Sequence, residues 1–181
     1  MRYLITLPWM PYPATDGGKQ GSFNMLMELQ NMIDITLIYP VFFKKQMACQ
    51  YLLEKQLPKV KVYPFEYYKN KDGIKSQYSL FRLHRIITRK FLKQPYLATP
   101  IYKDAYIDFV NEIIKKDRID IVQNEYFEQL YMVYAIPNTV KKVFIQHEIQ
   151  YIAKERLFQQ REYPSSVRYL ATMQRIQEIM R

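Results

Sequence analysis

The feature that most constrains this chain is a rhythm. Short apolar runs, each stopped by a proline or a polar turn, alternate with longer amphipathic stretches. Arg2–Leu7 is apolar with β propensity and is halted by Pro8, so it reads as a first strand. Residues 8–18 read as a loop, because Pro8, Pro11 and Pro13 exclude regular structure and Asp16-Gly17-Gly18 is a turn signal. Phe23, Leu26, Met27 and Leu29 recur at helical spacing and predict a helix over 18–31. Ile33–Tyr39, closed by Pro40, predicts a second strand; 44–57 predicts a helix and Val60–Phe65 a third strand. Residues 66–78 are polar, basic and aromatic and read as a loop or insertion. Helical patterns follow at 79–93 and 101–116, then a short buried-type strand at Asp120–Gln123 and a helix around 127–135. Lys142–Gln146 predicts the last strand, and 150–162 and 165–181 predict helices.

Strands alternating with helices predict an α/β, Rossmann-like fold: a parallel sheet with helices on both faces. The 181 residues suit one such domain spanning 1–181. A chain of this length buries roughly 70% of its unfolded surface and needs no covalent staple. Its 49% apolar content argues against disorder. Cys49 is the single cysteine, which excludes an intrachain disulfide and agrees with a reducing compartment. The first apolar stretch is too short for a secretory leader, and no run approaches the ~18 apolar residues of a spanning helix. The expectation is a cytoplasmic protein, soluble or peripheral on the inner face of a membrane. The helical pattern of Arg168–Arg181 meets no stop signal before the last residue, which fits a terminal helix or a chain that continues.

Charge is distributed unevenly. The net charge is +10, and residues 59–93 hold ten basic side chains against two acids. Such an excess suits an anionic partner (nucleic acid, anionic lipid or a phosphorylated substrate) or a plain solvated surface. In the predicted helix 79–93, Arg82, Arg85, Arg89 and Lys93 fall on one face, and Leu80, Leu83, Ile87 and Phe91 form a neighbouring stripe. Adjacent basic and apolar stripes are what a helix needs to lie in a headgroup layer. The same stripe also fits packing on the sheet. Tyr67, Tyr68 and Tyr78 among the lysines keep a nucleic-acid-binding module as the alternative reading.

Parallel sheets bind ligands at the carboxyl ends of their strands, so the loops after the strands are where chemistry belongs. Three segments stand out. Pro11-Tyr12-Pro13-Ala14-Thr15-Asp16-Gly17-Gly18 precedes a helix, whose free amides suit an anion and whose glycines admit a close approach; it reads equally as a turn and helix start. It lacks the spacing of a Walker loop and of G-x-G-x-x-G. Gln146-His147-Glu148 places a histidine at a strand end, suited to hydrogen-bonding hydroxyls or to proton transfer, or else satisfied within its loop. Gln123-Asn124-Glu125-Tyr126 pairs a carboxylate with an aromatic ring, which suits a sugar; Glu125 is also a reasonable first-turn helix residue. His84 is assigned no role, and two histidines so placed make no metal site.

Taken in order, these segments resemble the N-terminal domain of glycosyltransferase family 4, which has the GT-B fold. The resemblance covers nearly the whole chain. It rests on the Pro-rich loop to Gly17-Gly18, on Ile119-Asp120-Ile121-Val122-Gln123-Asn124-Glu125-Tyr126, and on Val143-Phe144-Ile145-Gln146-His147-Glu148 with Arg156 nine residues on. It implies transfer of a sugar from a nucleotide-sugar to a sugar or lipid-linked acceptor, in surface polysaccharide or glycolipid synthesis, by a retaining route with no cofactor and no metal. It implies that Gly17 and Gly18 lie near the donor diphosphate and that His147 contacts the transferred sugar. Lys19, Glu125, Tyr126 and Arg156 are implied as acceptor or cleft contacts. Many members carry His-Asp where this chain has His147-Glu148. The donor-binding C-terminal domain has no counterpart in these 181 residues, so the isolated chain is expected not to transfer sugar.

Overall fold

In a computed structural model of the chain, the described residues are 1–70, 104–126, 129 and 132–147. The predicted helices over 79–93, 150–162 and 165–181 lie outside them, as do Arg82, Arg85, Arg89, Lys93 and Arg156.

The described elements run β1 (Arg2–Thr6), α1 (Gly17–Leu29), β2 (Asp34–Pro40), α2 (Met47–Gln56), β3 (Lys61–Phe65), α3 (Asp104–Lys116), β4 (Ile121–Glu125), α4 (Met132–Ala135) and β5 (Lys141–Ile145). Single 3-10 turns at Lys44–Gln46 and Tyr67–Asn70 complete them. The five strands form one sheet in the order β3-β2-β1-β4-β5, and every pairing is parallel. The chain therefore has the α/β, Rossmann-like architecture expected from its rhythm.

Apolar residues on successive pleats account for the layers. Leu4, Ile38, Phe65 and Val122 point to one face, where Tyr106, Val110, Ile113 and Ile114 of α3 cover them. Ile5, Ile35, Leu37 and Tyr39 point to the other, against Leu26 of α1 and Leu53 of α2. A strand buried on both faces needs a continuous apolar run, which is what β2 supplies. β3 carries Pro64, which a ladder tolerates only at an edge, and β3 is the edge strand of this sheet.

Two boundaries differ from expectation for visible reasons. The helix predicted over 44–57 begins as a 3-10 turn, because Gln46 Oε1 accepts from the amides of Phe42 and Phe43 at 2.9 Å and tightens that entry. The strand predicted over 120–123 extends through Asn124 and Glu125. Asn124 pairs with β1 and β5 and Glu125 with β5, so ladder pairing outweighs their low strand propensity. α3 ends with Arg118 at φ 51, in the left-handed conformation that closes many helices, with the Ile119 amide bonded to the Ile114 carbonyl at 3.0 Å.

Tyr39 yields a test of the core. It is fully buried, and its hydroxyl has no hydrogen-bond partner among the described residues. Burial, then the negative charges of Glu54 and Cys49, push its phenol well above the usual range. Below a pH of about 10 the phenol is neutral in both folded and unfolded chains. Above that pH only the unfolded chain releases the proton, so stability declines as pH rises. In urea titrations, Tyr39→Phe should leave neutral-pH stability unchanged or raise it by about 1 kcal/mol, since an unpaired buried hydroxyl is removed. It should also shallow the alkaline decline.

Candidate active site

The strand order reverses its direction of growth between β1 and β4. In sheets of this kind a crevice forms at that switch point, outside the carboxyl ends of the strands, and takes the ligand. The loops after β1, β4 and β5 meet there.

The first side of the crevice is the start of α1. Asp16 is its N-cap, extended at φ −140 and ψ 166, with Oδ1 accepting from the Lys19 amide at 2.9 Å. The bond from that amide holds the Asp16 carboxyl below its ordinary range; burial opposes it, and the Lys19 side chain and the Gly18 amide add to the lowering. The Lys19 ammonium stays local, 3.3 Å from Asp16 Oδ2 and 3.2 Å from Thr15 Oγ1. The end of α1 thus already carries one carboxylate, neutralised by one ammonium.

The second side is built by β4 and β5. Residues two apart share a face of a strand. Gln123 and Glu125 therefore face the same way, toward α1, as the 3.7 Å approach of Gln123 Nε2 to Met25 Sδ shows. Val143 and Ile145 pair with them, and His147 follows one pleat further on. This spacing lays the His147 ring over Glu125, with Nε2 at 2.7 Å from Oε2. Glu125 is fully buried, whereas the His147 side chain keeps 35% of its surface. The other carboxylate oxygen, Oε1, accepts from Gln123 Nε2. Gln123 Oε1 in turn accepts from the Tyr3 hydroxyl at 2.6 Å. Burial, then the charge of Glu125, raises the Tyr3 phenol above its usual value, which keeps it a donor.

Tyr126 joins the two sides. Strict alternation would send it to the face of Asn124, but its backbone is left-handed at φ 68. For a tyrosine that conformation costs on the order of 1 kcal/mol or more, and such costs collect at functional sites. The turn brings the ring back toward α1, stacked on His147 (centroids 4.2 Å apart, planes at 19°) and against Trp9 (4.5 Å). Its amide donates to the Ile145 carbonyl at 2.9 Å. Its hydroxyl donates to the Gly18 carbonyl at 2.8 Å and lies 3.2 Å from Ser22 Oγ, a fully buried residue.

Gly17, Gly18, Lys19, Glu125, Tyr126 and His147 are thus gathered around one crevice. Their placement differs from a simple list of surface contacts. Glu125 is a strand residue and not part of a helix first turn, and its described partners are Gln123 and His147. The two glycines also differ. A Cβ on Gly18 would lie 3.1 Å from the Tyr126 hydroxyl, whereas one on Gly17 would meet nothing within 4 Å. Sequence reasoning missed Trp9, Tyr3, Gln123 and Ser22. Gln123 and Glu125 at strand spacing were a usable signal; Trp9, whose buried Nε1 has no partner among the described residues, had only its place after the first strand.

Two further facts bound the chemistry. Among the described residues no three His, Cys, Asp or Glu side chains gather as a metal site. A cavity of about 290 Å³, lined by Arg2, Asp34, Thr36, Lys59, Lys61 and Asp117, lies at the amino ends of the strands, remote from the crevice. No helix among the described residues is long and apolar enough to cross a membrane. No family model matches the chain, and neither does any curated protein or solved structure.

The glycine contacts make a double-mutant test. Gly18→Ala should destabilise by about 1 kcal/mol, because the Tyr126 hydroxyl must give way. Gly17→Ala should be neutral or slightly stabilising, since it reduces unfolded-chain entropy without a clash. In a Tyr126→Phe background the cost of Gly18→Ala should largely vanish, which urea titration of the four chains measures.

Asp16 carries the acid limb. Its folded pKa is depressed, so its contribution is present above the unfolded value near ~4 and is lost as pH falls through the folded value. Asp16→Asn keeps a competent cap and should leave neutral-pH stability nearly unchanged. Between pH 5 and 2, roughly the span of carboxylate titration, its stability should fall less steeply than that of the parent chain.

Proposed function

We propose that this chain is the acceptor-side domain of a nucleotide-sugar-dependent, retaining glycosyltransferase that builds a surface polysaccharide or glycolipid. The observation that carries the reading is the meeting, at the switch point, of the Gly17-Gly18 helix start with Tyr126 and His147, over the buried Glu125. What supports it is that Gly17, Gly18, Glu125, Tyr126 and His147, drawn from the segments that resemble glycosyltransferase family 4, come together at one place in the fold.

Chemically, the crevice offers what a sugar needs. His147 supplies a partly exposed imidazole braced by a carboxylate, able to bond a hydroxyl of the transferred sugar. Gly17 leaves open space beside the helix start, where a diphosphate can approach the backbone, and Lys19 supplies a nearby positive charge. The Asp16 carboxylate opposes that approach, so a donor phosphate must share the Lys19 ammonium with it. In this reading the nucleotide-sugar is a substrate, no metal takes part, and the donor is held chiefly by a second domain. Arg156 belongs to the cleft, and Arg82, Arg85, Arg89 and Lys93 dock the protein on the inner face of an anionic membrane; all five lie outside the described residues.

Saturation-transfer NMR with a panel of UDP- and GDP-sugars, oligosaccharides and lipid-linked acceptors tests this directly. At least one sugar class should bind, and His147→Ala should weaken it about tenfold, the loss of one good hydrogen bond. In an enzyme carrying both halves, the same substitution should lower kcat by about 10²-fold or more with the urea midpoint unchanged. Parallel titrations use duplex DNA and phosphatidylglycerol vesicles. Tight, salt-sensitive DNA binding with no sugar binding overturns the reading in favour of a nucleic-acid module.

A further inference from the structure

The chain of groups beneath His147 has a direction. The Tyr3 hydroxyl donates to Gln123 Oε1 at 2.6 Å, Gln123 Nε2 donates to Glu125 Oε1, and Glu125 Oε2 faces His147 Nε2 at 2.7 Å. Each member constrains the next. An ionised carboxylate has no proton to give, so it accepts at both oxygens. Gln123 must then turn its amide nitrogen to Glu125, a choice reinforced by Met25 Sδ on the same nitrogen at 3.7 Å. Its amide oxygen is left for Tyr3. At the far end, His147 Nε2 must carry a proton to meet Glu125.

We propose that Glu125 is a positioning residue that sets the tautomer of His147, with Gln123 and Tyr3 locked in place behind it. This arrangement holds the neutral ring in its Nε2–H form and leaves Nδ1, which has no partner among the described residues, as an acceptor for a ligand hydroxyl. In the parent chain the carboxylate fixes the direction, and Gln123 and Tyr3 take theirs from it; once position 125 is an amide, Tyr3 and Gln123 decide which way that amide faces. Gln123 is 4% exposed and Glu125 fully buried, so water cannot readily substitute for either partner. Tyr126, stacked at 19° to the ring, fixes its plane without touching its protons. The catalytic value of the tautomer rests on the proposed sugar-transfer reading; its existence does not.

Carbon and nitrogen chemical shifts of His147, recorded without substrate at a pH where the ring is neutral, distinguish the two tautomers. The parent chain should show Nε2–H. Glu125→Gln should reverse it. Gln123 still donates to the oxygen at position 125, so the new amide nitrogen must face His147, and the ring must accept at Nε2. The Nε2–H to Nδ1–H ratio should fall by about tenfold or more, the worth of one buried hydrogen bond. Tyr3→Phe added to Glu125→Gln releases Gln123 to turn over and should restore part of the Nε2–H form. A merely structural role for Tyr3 would not move that ratio. Retention of Nε2–H in Glu125→Gln would mean that the amides turn over freely, and the proposal fails. If Glu125→Gln does not fold, the parent spectrum decides: an Nδ1–H ring there overturns the proposal. None of these readings needs sugar transfer, so failure of the tautomer and failure of the glycosyltransferase reading are separable.

Discussion

The pairing of β1 with β4 is the constraint on which the rest depends. β1 is the one strand bonded to both halves of the sheet, with Thr6 opposite Asn124 on the side of β4 and opposite Ile38 on the side of β2. That register sets the height at which β4 ends, and so the height of Glu125 and Tyr126. A shift by one residue would turn Gln123 and Glu125 to the α3 face and send Asn124 toward α1. The buried bond from Thr6 Oγ1 to Asn124 Oδ1 at 2.9 Å couples the last residue of β1 to the penultimate residue of β4, close to where the crevice begins.

The crevice is built from groups that would be costly without each other. A carboxylate at zero exposure is tolerable because both oxygens are occupied, by Gln123 and by His147. Left-handed Tyr126 is tolerable because its amide is engaged by Ile145, its hydroxyl by Gly18, and its ring by Trp9 and His147. Gly18 lacks a side chain where that hydroxyl arrives. The site is therefore organised before any ligand enters, and its polar groups need not be rearranged to meet one.

Charge is handled differently at its two sides. At α1, Asp16 and Lys19 form an exposed pair whose worth to stability is small, and the pair is open to exchange with an incoming anion. Beneath His147 the carboxylate is fully buried, so its contact with the imidazole is screened by salt far less than the Asp16–Lys19 pair. The exposed side suits a charged group that must arrive and leave. The buried side suits a partner whose orientation must hold.

The local sequence alone determined the layers: buried apolar runs on both faces make a parallel sheet, and Pro64 in β3 confines that strand to an edge. It also pointed to the loops that meet at the switch point, since such sheets take ligands at strand ends whatever their sequence. What it could not convey was which side chains meet. His147 and Glu125 are 22 residues apart and Tyr126 and Gly18 108 apart, distances across which no periodicity carries information. Glu125 also read as a first-turn helix residue because strand propensity disfavours it; its pairing with Ile145 of β5 keeps it in β4. Trp9 and Tyr3 read as loop and core because nothing local marks a ring that will stack or a hydroxyl that will donate. Those roles came from the register between β1 and β4, which is a property of the folded sheet and not of any one segment.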